Sequence, residues 1–203
     1  MKWPEIDTQL RDSGFKVFTD QEFRSLTKTT PASAKFLLIR YAKRGLLRRL
    51  RRGLYAAGGR MPSTLALANQ LYKPSYVSLA TALAYHGLIP ESPYSVVSVT
   101  TRPTREFQVD GRSYLYRTLK RSAFAEYRSV AADEDTILIA EPEKAAADHL
   151  YFVHLGKEPL NERLALDRLD IRKLERCLGL YARPGLLRWF KHDLKIPDRR
   201  TAR

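Results

Sequence analysis

Eight cations stand between residues 35 and 52, namely Lys35, Arg40, Lys43, Arg44, Arg48, Arg49, Arg51 and Arg52, and no acid interrupts them. Ammonium and guanidinium groups at this density do one kind of chemistry, the neutralisation of a polyanion. The order of the segment says how they would be presented. Thr29-Thr30-Pro31 makes a polar start, an apolar-periodic stretch runs through Tyr41, Gly45 stops it, and residues 46–55 mix leucines and arginines around Arg51-Arg52-Gly53. The spacing predicts a helix, a glycine stop and a basic hairpin. A helix fits the major groove of duplex DNA while a cationic ribbon lies along the phosphates. A basic run alone is often only a solvated helix face; its continuation through a glycine-punctuated ribbon favours the polyanion.

The elements that must position these side chains follow from capping and periodicity. Residues 4–12 read as a short helix with Ile6 and Leu10 inward, ended by Ser13-Gly14. Residues 15–18 lead into Thr19-Asp20, a cap for a second helix through Leu26. Thr30 caps the third, with Pro31 at the first helical position, where its missing N–H costs nothing. On that helix Ala34, Leu37, Leu38, Tyr41 and Ala42 form the inward stripe, and Ser33, Lys35, Phe36, Arg40 and Lys43 lie on other faces. Ser33, Lys35 and Phe36 occupy the first turns, which in a recognition helix reach base edges. With Thr30, Arg44 and the ribbon residues Arg48, Arg49, Arg51 and Arg52 they form the expected DNA-binding set. Leu46, Leu50 and Leu54 return apolar side chains to the core, and Gly53 suits the hairpin tip.

Charge is unevenly spread. The 203 residues carry a net +14, yet residues 1–60 alone hold fourteen Lys and Arg against five Asp and Glu. A break is expected at residues 56–62, where small residues accumulate. The organisation read from the sequence is therefore α+β: a winged helix-turn-helix over residues 1–58 and a mixed α/β domain over 62–203. In the latter, helices are expected at 63–71 and from Ser78 to His86-Gly87. Strands are expected at 94–101, at 105–109 paired with 112–119 across Asp110-Gly111, and at 136–140, before a helix from Pro142 to about Leu155. A helical tail over 160–194, broken at Gly179 and at Arg183-Pro184-Gly185, and a frayed basic end at 198–203 complete it. No apolar run approaches the ~18–20 residues that span a bilayer, and residues 1–5 lack a leader core, so the expectation is a cytoplasmic protein. The one cysteine, Cys177, excludes an intramolecular disulfide and any multi-cysteine metal site, and is expected as an apolar filler on a C-terminal helix.

The second unit offers little catalytic chemistry. His86 beside Gly87 reads as a helix-end cation. His149 and His154 stand five apart, whereas helical metal pairs favour three or four. Glu141-Pro142-Glu143-Lys144 is similar to a metal-dependent nuclease pattern, but proline occupies the position where Glu-x-Lys needs its acid. Its acids read better as favourable charges at a helix N-terminus. Phosphate loop, nucleophile elbow and paired metal-binding aspartates are all missing from the sequence. No catalytic, cofactor or metal site is expected.

A basic winged unit ending in Arg52-Gly53-Leu54-Tyr55, then residues 76–83 (Tyr-Val-Ser-Leu-Ala-Thr-Ala-Leu) with His86-Gly87-Leu88, then residues 140–145 (Ala-Glu-Pro-Glu-Lys-Ala) with Asp148, resembles the AbiEi-type antitoxins. The resemblance covers most of the chain, although no motif carries it beyond residue 160. It implies a transcriptional autorepressor that binds inverted repeats in its own promoter. It also implies an antitoxin that counteracts a nucleotidyltransferase-like toxin in a type IV arrangement, where a direct complex is not required. The alternatives from other classes are a DNA-targeted, metal-dependent nuclease and a basic RNA-binding adaptor.

Overall fold

The computed structural model describes residues 1–132 and 134–194. The basic end at 198–203 lies outside the described residues. The fold is mixed α+β, and the chain forms two compact units, residues 1–71 and 72–203. The division falls later than the sequence reading places it. A reason is visible in unit 1: Arg51 Nε donates to the Leu71 carbonyl at 2.7 Å, tying the end of the helix Thr64–Leu71 back to the basic ribbon.

Unit 1 contains α1 (Trp3–Asp12), β1 (Val17–Thr19), α2 (Asp20–Thr27), α3 (Pro31–Lys43), β2 (Leu47–Arg51), β3 (Leu54–Ala57) and α4 (Thr64–Leu71). The three strands form an antiparallel sheet in the order β1-β3-β2. Thr19 closes a capping box at the start of α2, its hydroxyl accepting from Glu22 N at 3.2 Å while Glu22 accepts from Thr19 N. Thr30 Oγ1 accepts from Ser33 N at 3.3 Å and starts α3. Between the two helices Lys28 is left-handed, with φ 51°, and the Thr27 and Thr29 hydroxyls meet at 2.8 Å. Ala34, Leu37, Leu38 and Tyr41 of α3 pack with Ile6, Leu10, Phe18 and Phe23 in one core. Phe18 stacks on Phe23 at 5.7 Å and Trp3 lies 5.1 Å from Tyr41. The strand β1 is a correction: residues 17–19 are a lead-in to α2 by sequence, but Val17 pairs with Ala56 and Thr19 with Leu54.

Unit 2 contains β4 (Ser75–Val77), α5 (Leu79–Tyr85), β5 (Val96–Thr100), β6 (Arg105–Val109), β7 (Arg112–Thr118), β8 (Tyr127–Ala132), β9 (Asp135–Ala140), α6 (Pro142–His154), α7 (Ile171–Gly179) and the short turn α8 (Leu186–Arg188). The sheet order is β6-β7-β5-β4-β9-β8, with β4 parallel to β9 and β5 parallel to β7. Asp110 and Gly111 turn the β6–β7 hairpin with φ 54° and 73°, the pair of positive values a type I′ turn requires. Helix α6 is buried over nine consecutive residues, from Lys144 to Phe152, and Ala145, Ala146 and Ala147 let neighbours approach closely. Cys177 is buried on α7, and burial pushes its thiol up to about 11.

Three further expectations are corrected. Residues 75–77 form the strand β4, where no element was expected, immediately before the helix that starts after Ser78. Residues 127–132 form an unexpected strand, paired with β9 from Tyr127↔Ala140 to Ala132↔Asp135. Residues 160–170 are not helical apart from a 3-10 turn at Leu166–Arg168. There Asn161 Oδ1 accepts from Arg163 N at 2.8 Å, Ala165 N donates to the Leu88 carbonyl at 2.9 Å, and Asp170 caps α7. These bonds draw backbone donors away from a helical ladder.

Leu38 is 2 % exposed at the centre of the unit 1 core. The substitution Leu38→Ala is expected to destabilise unit 1 by ~2–5 kcal/mol, measured by denaturant unfolding of the full chain. A loss below 1 kcal/mol would place α3 outside the core.

Candidate nucleic-acid interface

The buried stripe of α3 fixes what the helix shows to water. Ala34, Leu37, Leu38 and Tyr41 face inward, so at about 100° per residue the opposite face centres on Ala32, Phe36, Ile39 and Lys43. Ser33 and Arg40 lie on one flank and Lys35 on the other. Lys35, Arg40, Lys43 and Arg44 are all exposed. The Arg40 guanidinium lies 5.6 Å from the Tyr41 ring centroid, and Arg44 is the C-terminal cap residue. Gly45, with φ 70°, then turns the chain into β2.

The ribbon carries its cations less evenly than alternation predicts. In β2, Leu47 and Leu50 are buried while Arg48 and Arg49 are both exposed, and the pairing with β3 shifts register between Arg49 and Arg51. Such a bulge re-aims side chains at a strand edge. Leu46, expected inward, is half-buried, and the fully buried position is Leu47. Arg52 is exposed at the tip beside Gly53, whose φ is 73°.

The expected site residues therefore separate. Lys35, Phe36, Arg40, Lys43, Arg44, Arg48, Arg49 and Arg52 come together on the exposed surface of α3 and the ribbon. Arg51 stands apart, since it is half-buried and donates to the Leu71 and Arg52 carbonyls. Thr30 and Ser33 are exposed, but Thr30 Oγ1 donates to Ser33 Oγ at 3.0 Å, so both hydroxyls belong first to the helix cap. The sequence reading passed over Ala32 and Ile39, although the helical period alone puts them outward. From residue 23 to residue 90 the chain contains no Asp or Glu. Among the described residues no carboxylate pairs with Lys35, Arg40, Lys43, Arg44, Arg49 or Arg52.

The motif residues of unit 2 converge on a different kind of site. Lys144 Nζ and Asp148 Oδ1 lie 2.6 Å apart, one helical turn along α6, and both side chains are fully buried. Ser78 Oγ donates to Asp148 Oδ2 at 2.5 Å and Tyr76 Oη donates to the same oxygen at 3.2 Å. Tyr181 Oη donates to Asp148 Oδ1 and accepts from Lys144 Nζ at 3.0 Å. Burial, and then the Asp148 charge, push the Tyr76 and Tyr181 hydroxyls far above the usual phenol range. They are fixed donors. Ser78, expected to cap α5, makes no side-chain cap bond because its hydroxyl is spent on Asp148. His86 Nε2 donates to the Ala140 carbonyl at 2.8 Å, which is a tie to β9 in addition to its helix-end position.

This arrangement argues against reading Glu141-Pro142-Glu143-Lys144 as a nuclease site. Lys144 is sealed in the interior, and Lys173 of α7 pairs with Glu141 and, at 3.2 Å, with Glu143. The two acids thus hold α7 against the start of α6, beyond any favourable charge they place at the helix N-terminus. Hydrogen bonding to Glu141, ahead of the Glu143 contribution, raises the Lys173 pKa above its ordinary value. Among the described residues no group of three or more His, Cys, Asp and Glu could hold a metal ion, and no helix is long and apolar enough to cross a membrane.

Comparison of the sequence with protein-family models finds no match, and comparison with curated proteins finds no relative.

Removing one member of a buried pair strands the other's charge. Asp148→Ala is therefore expected to destabilise unit 2 by about 3–5 kcal/mol, while Lys144→Met combined with Asp148→Asn, which keeps an acceptor oxygen for the surrounding hydroxyls, loses less. Equilibrium unfolding of both variants checks this, and equal losses would mean that the pair is not coupled.

Proposed function

We propose that unit 1 is a winged helix-turn-helix that binds duplex DNA, with α3 in the major groove and the β2–β3 ribbon as a wing along the phosphates. One observation carries the reading: Lys35, Arg40, Lys43, Arg44, Arg49 and Arg52 are exposed on a helix and its following ribbon, with no carboxylate paired to them. The short connection between α2 and α3, fixed by left-handed Lys28 and the Thr27–Thr29 contact, has the length such a motif uses. A duplex-reading helix needs a rigid mount, and the Ala34, Leu37, Leu38 and Tyr41 stripe supplies it.

The resemblance to AbiEi-type antitoxins extends the proposal: the chain is a cytoplasmic autorepressor of its own promoter, and unit 2 counteracts a nucleotidyltransferase-like toxin. The motif segments that carry the resemblance, around Ser78 and around Lys144 and Asp148, meet in one buried network. That supports reading them as residues that specify the unit 2 fold. It favours a non-enzymatic role over a nuclease, because the only lysine of the nuclease-like pattern is out of reach.

The test uses full-length variants. Arg40→Ala is expected to lose ~1–3 kcal/mol of discrimination between the promoter duplex and a scrambled one. Arg49→Gln with Arg52→Gln should weaken binding to both duplexes alike. A combined variant lacking all three arginines should fail to repress the promoter yet still relieve growth arrest by the toxin. Loss of rescue together with repression would assign neutralisation to DNA binding.

A further inference from the structure

The centre of the outward face of α3 is apolar. Phe36 is 64 % exposed and Ile39 is 45 % exposed, one turn apart, with the small Ala32 one turn before Phe36. Nothing in the unit 1 core requires them there. The hydroxyls closest along the helix, Thr30 and Ser33, are bonded to each other and to the helix start. The strip therefore offers a ligand apolar surface, not hydrogen-bond donors or acceptors, until Lys43 at its end.

Its surroundings decide the occupant. Lys35 and Arg40 flank the strip, exposed and without a carboxylate partner among the described residues, and no acid occurs in the sequence from residue 23 to residue 90. An apolar partner surface would have to face those cations as well, whereas a duplex supplies phosphates on both sides of a groove. Inside the major groove only one base edge is apolar, the 5-methyl group of thymine, and Phe and Ala are among the side chains that contact it. We propose that α3 reads thymine methyl groups through Phe36 and Ile39, so that the preferred duplex is marked by A·T pairs at fixed positions. This rests on the reading of unit 1 as a duplex-binding unit.

The chemistry assigns the two sets of side chains different tasks. Lys35 and the ribbon cations, on phosphates, set affinity for any duplex, because phosphates carry no sequence, while Arg40 adds hydrogen bonds to a base edge. Phe36 and Ile39 set the choice among duplexes by excluding water from a methyl group that cytosine lacks. Replacement of thymine by uracil removes that methyl and leaves the hydrogen-bonding edge intact, which makes it a clean probe.

The full chain is first used to select a tight-binding duplex from a random-sequence pool, and each thymine of that duplex is then replaced singly by deoxyuridine. At one or two positions binding should weaken roughly four-fold, the factor that burying one methyl-sized group supplies. Phe36→Ala should weaken binding to the thymine duplex by a similar or larger factor and, at one of these positions, bind thymine and uracil equally, and Phe36→Gln should do the same. Phe36 is exposed, so thermal unfolding of both variants should match that of the parent chain. Equal binding of thymine and uracil duplexes by the parent chain overturns the proposal while leaving duplex binding intact. A shift of oligomeric state in Phe36→Ala, with methyl sensitivity unchanged, overturns it in favour of a second copy on this strip. Failure to select any duplex defeats the winged-helix reading itself.

Discussion

A lysine and an aspartate, both fully buried, can stay charged only while they have each other and enough hydrogen bonds to replace water. Unit 2 is organised around that requirement. Asp148 receives three hydroxyls, from Tyr76 on β4, Ser78 at the start of α5 and Tyr181 beyond α7, as well as the ammonium of Lys144 on its own helix. Three stretches distant in sequence, residues 76–78, helix α6 and Tyr181, are thereby fixed to one carboxylate. An apolar core of the same volume could be equally stable, but it would not dictate which strand and which helix end meet α6. The Lys173 pairs with Glu141 and Glu143 repeat the device on the outside, where solvent screens it and its contribution is smaller.

Unit 1 handles charge in the opposite way. Its cations are held in water, on one helix and one ribbon, without acids nearby in the sequence to soften their mutual repulsion. Self-repulsion of this kind lowers the stability of the free protein. The packed aromatic and aliphatic core beneath α3 offsets it, and a polyanion arriving at that surface would relieve it. The apolar strip along the same helix fits this division. Cations on phosphates grip without selecting, and an apolar surface recognises the few base-edge groups that are apolar.

The features legible in the sequence were those set by local chemistry. Thr19 and Thr30 were readable as caps because the residues they bond lie three positions away, and Asp110-Gly111 was readable as a hairpin because both residues tolerate positive φ. The α3 stripe followed from helical period alone. What was hidden depends on residues far apart. The strand β1 exists because Val17 meets Ala56, and β8 exists because β9 lies beside it; neither segment alternates strongly enough to declare itself. Arg51 read as one more ribbon cation, since its acceptor at Leu71 lies twenty residues on. Lys144 and Asp148 carried a signal in their i, i+4 spacing on an apolar helix, but Tyr181 as their partner could not be read from any window. Ile39 was missed for the opposite reason: its type suggests a core residue, and only its position on the helix puts it outside.

The most direct test of the account is the salt dependence of duplex binding by the full chain. Seven exposed cations on α3, its cap and the ribbon, of which about five reach phosphates, should make log K fall against log salt with a slope of roughly −4 to −5, at ~0.9 per neutralised phosphate. A slope near zero would contradict the electrostatic footprint, and with it the assignment of this surface to nucleic acid.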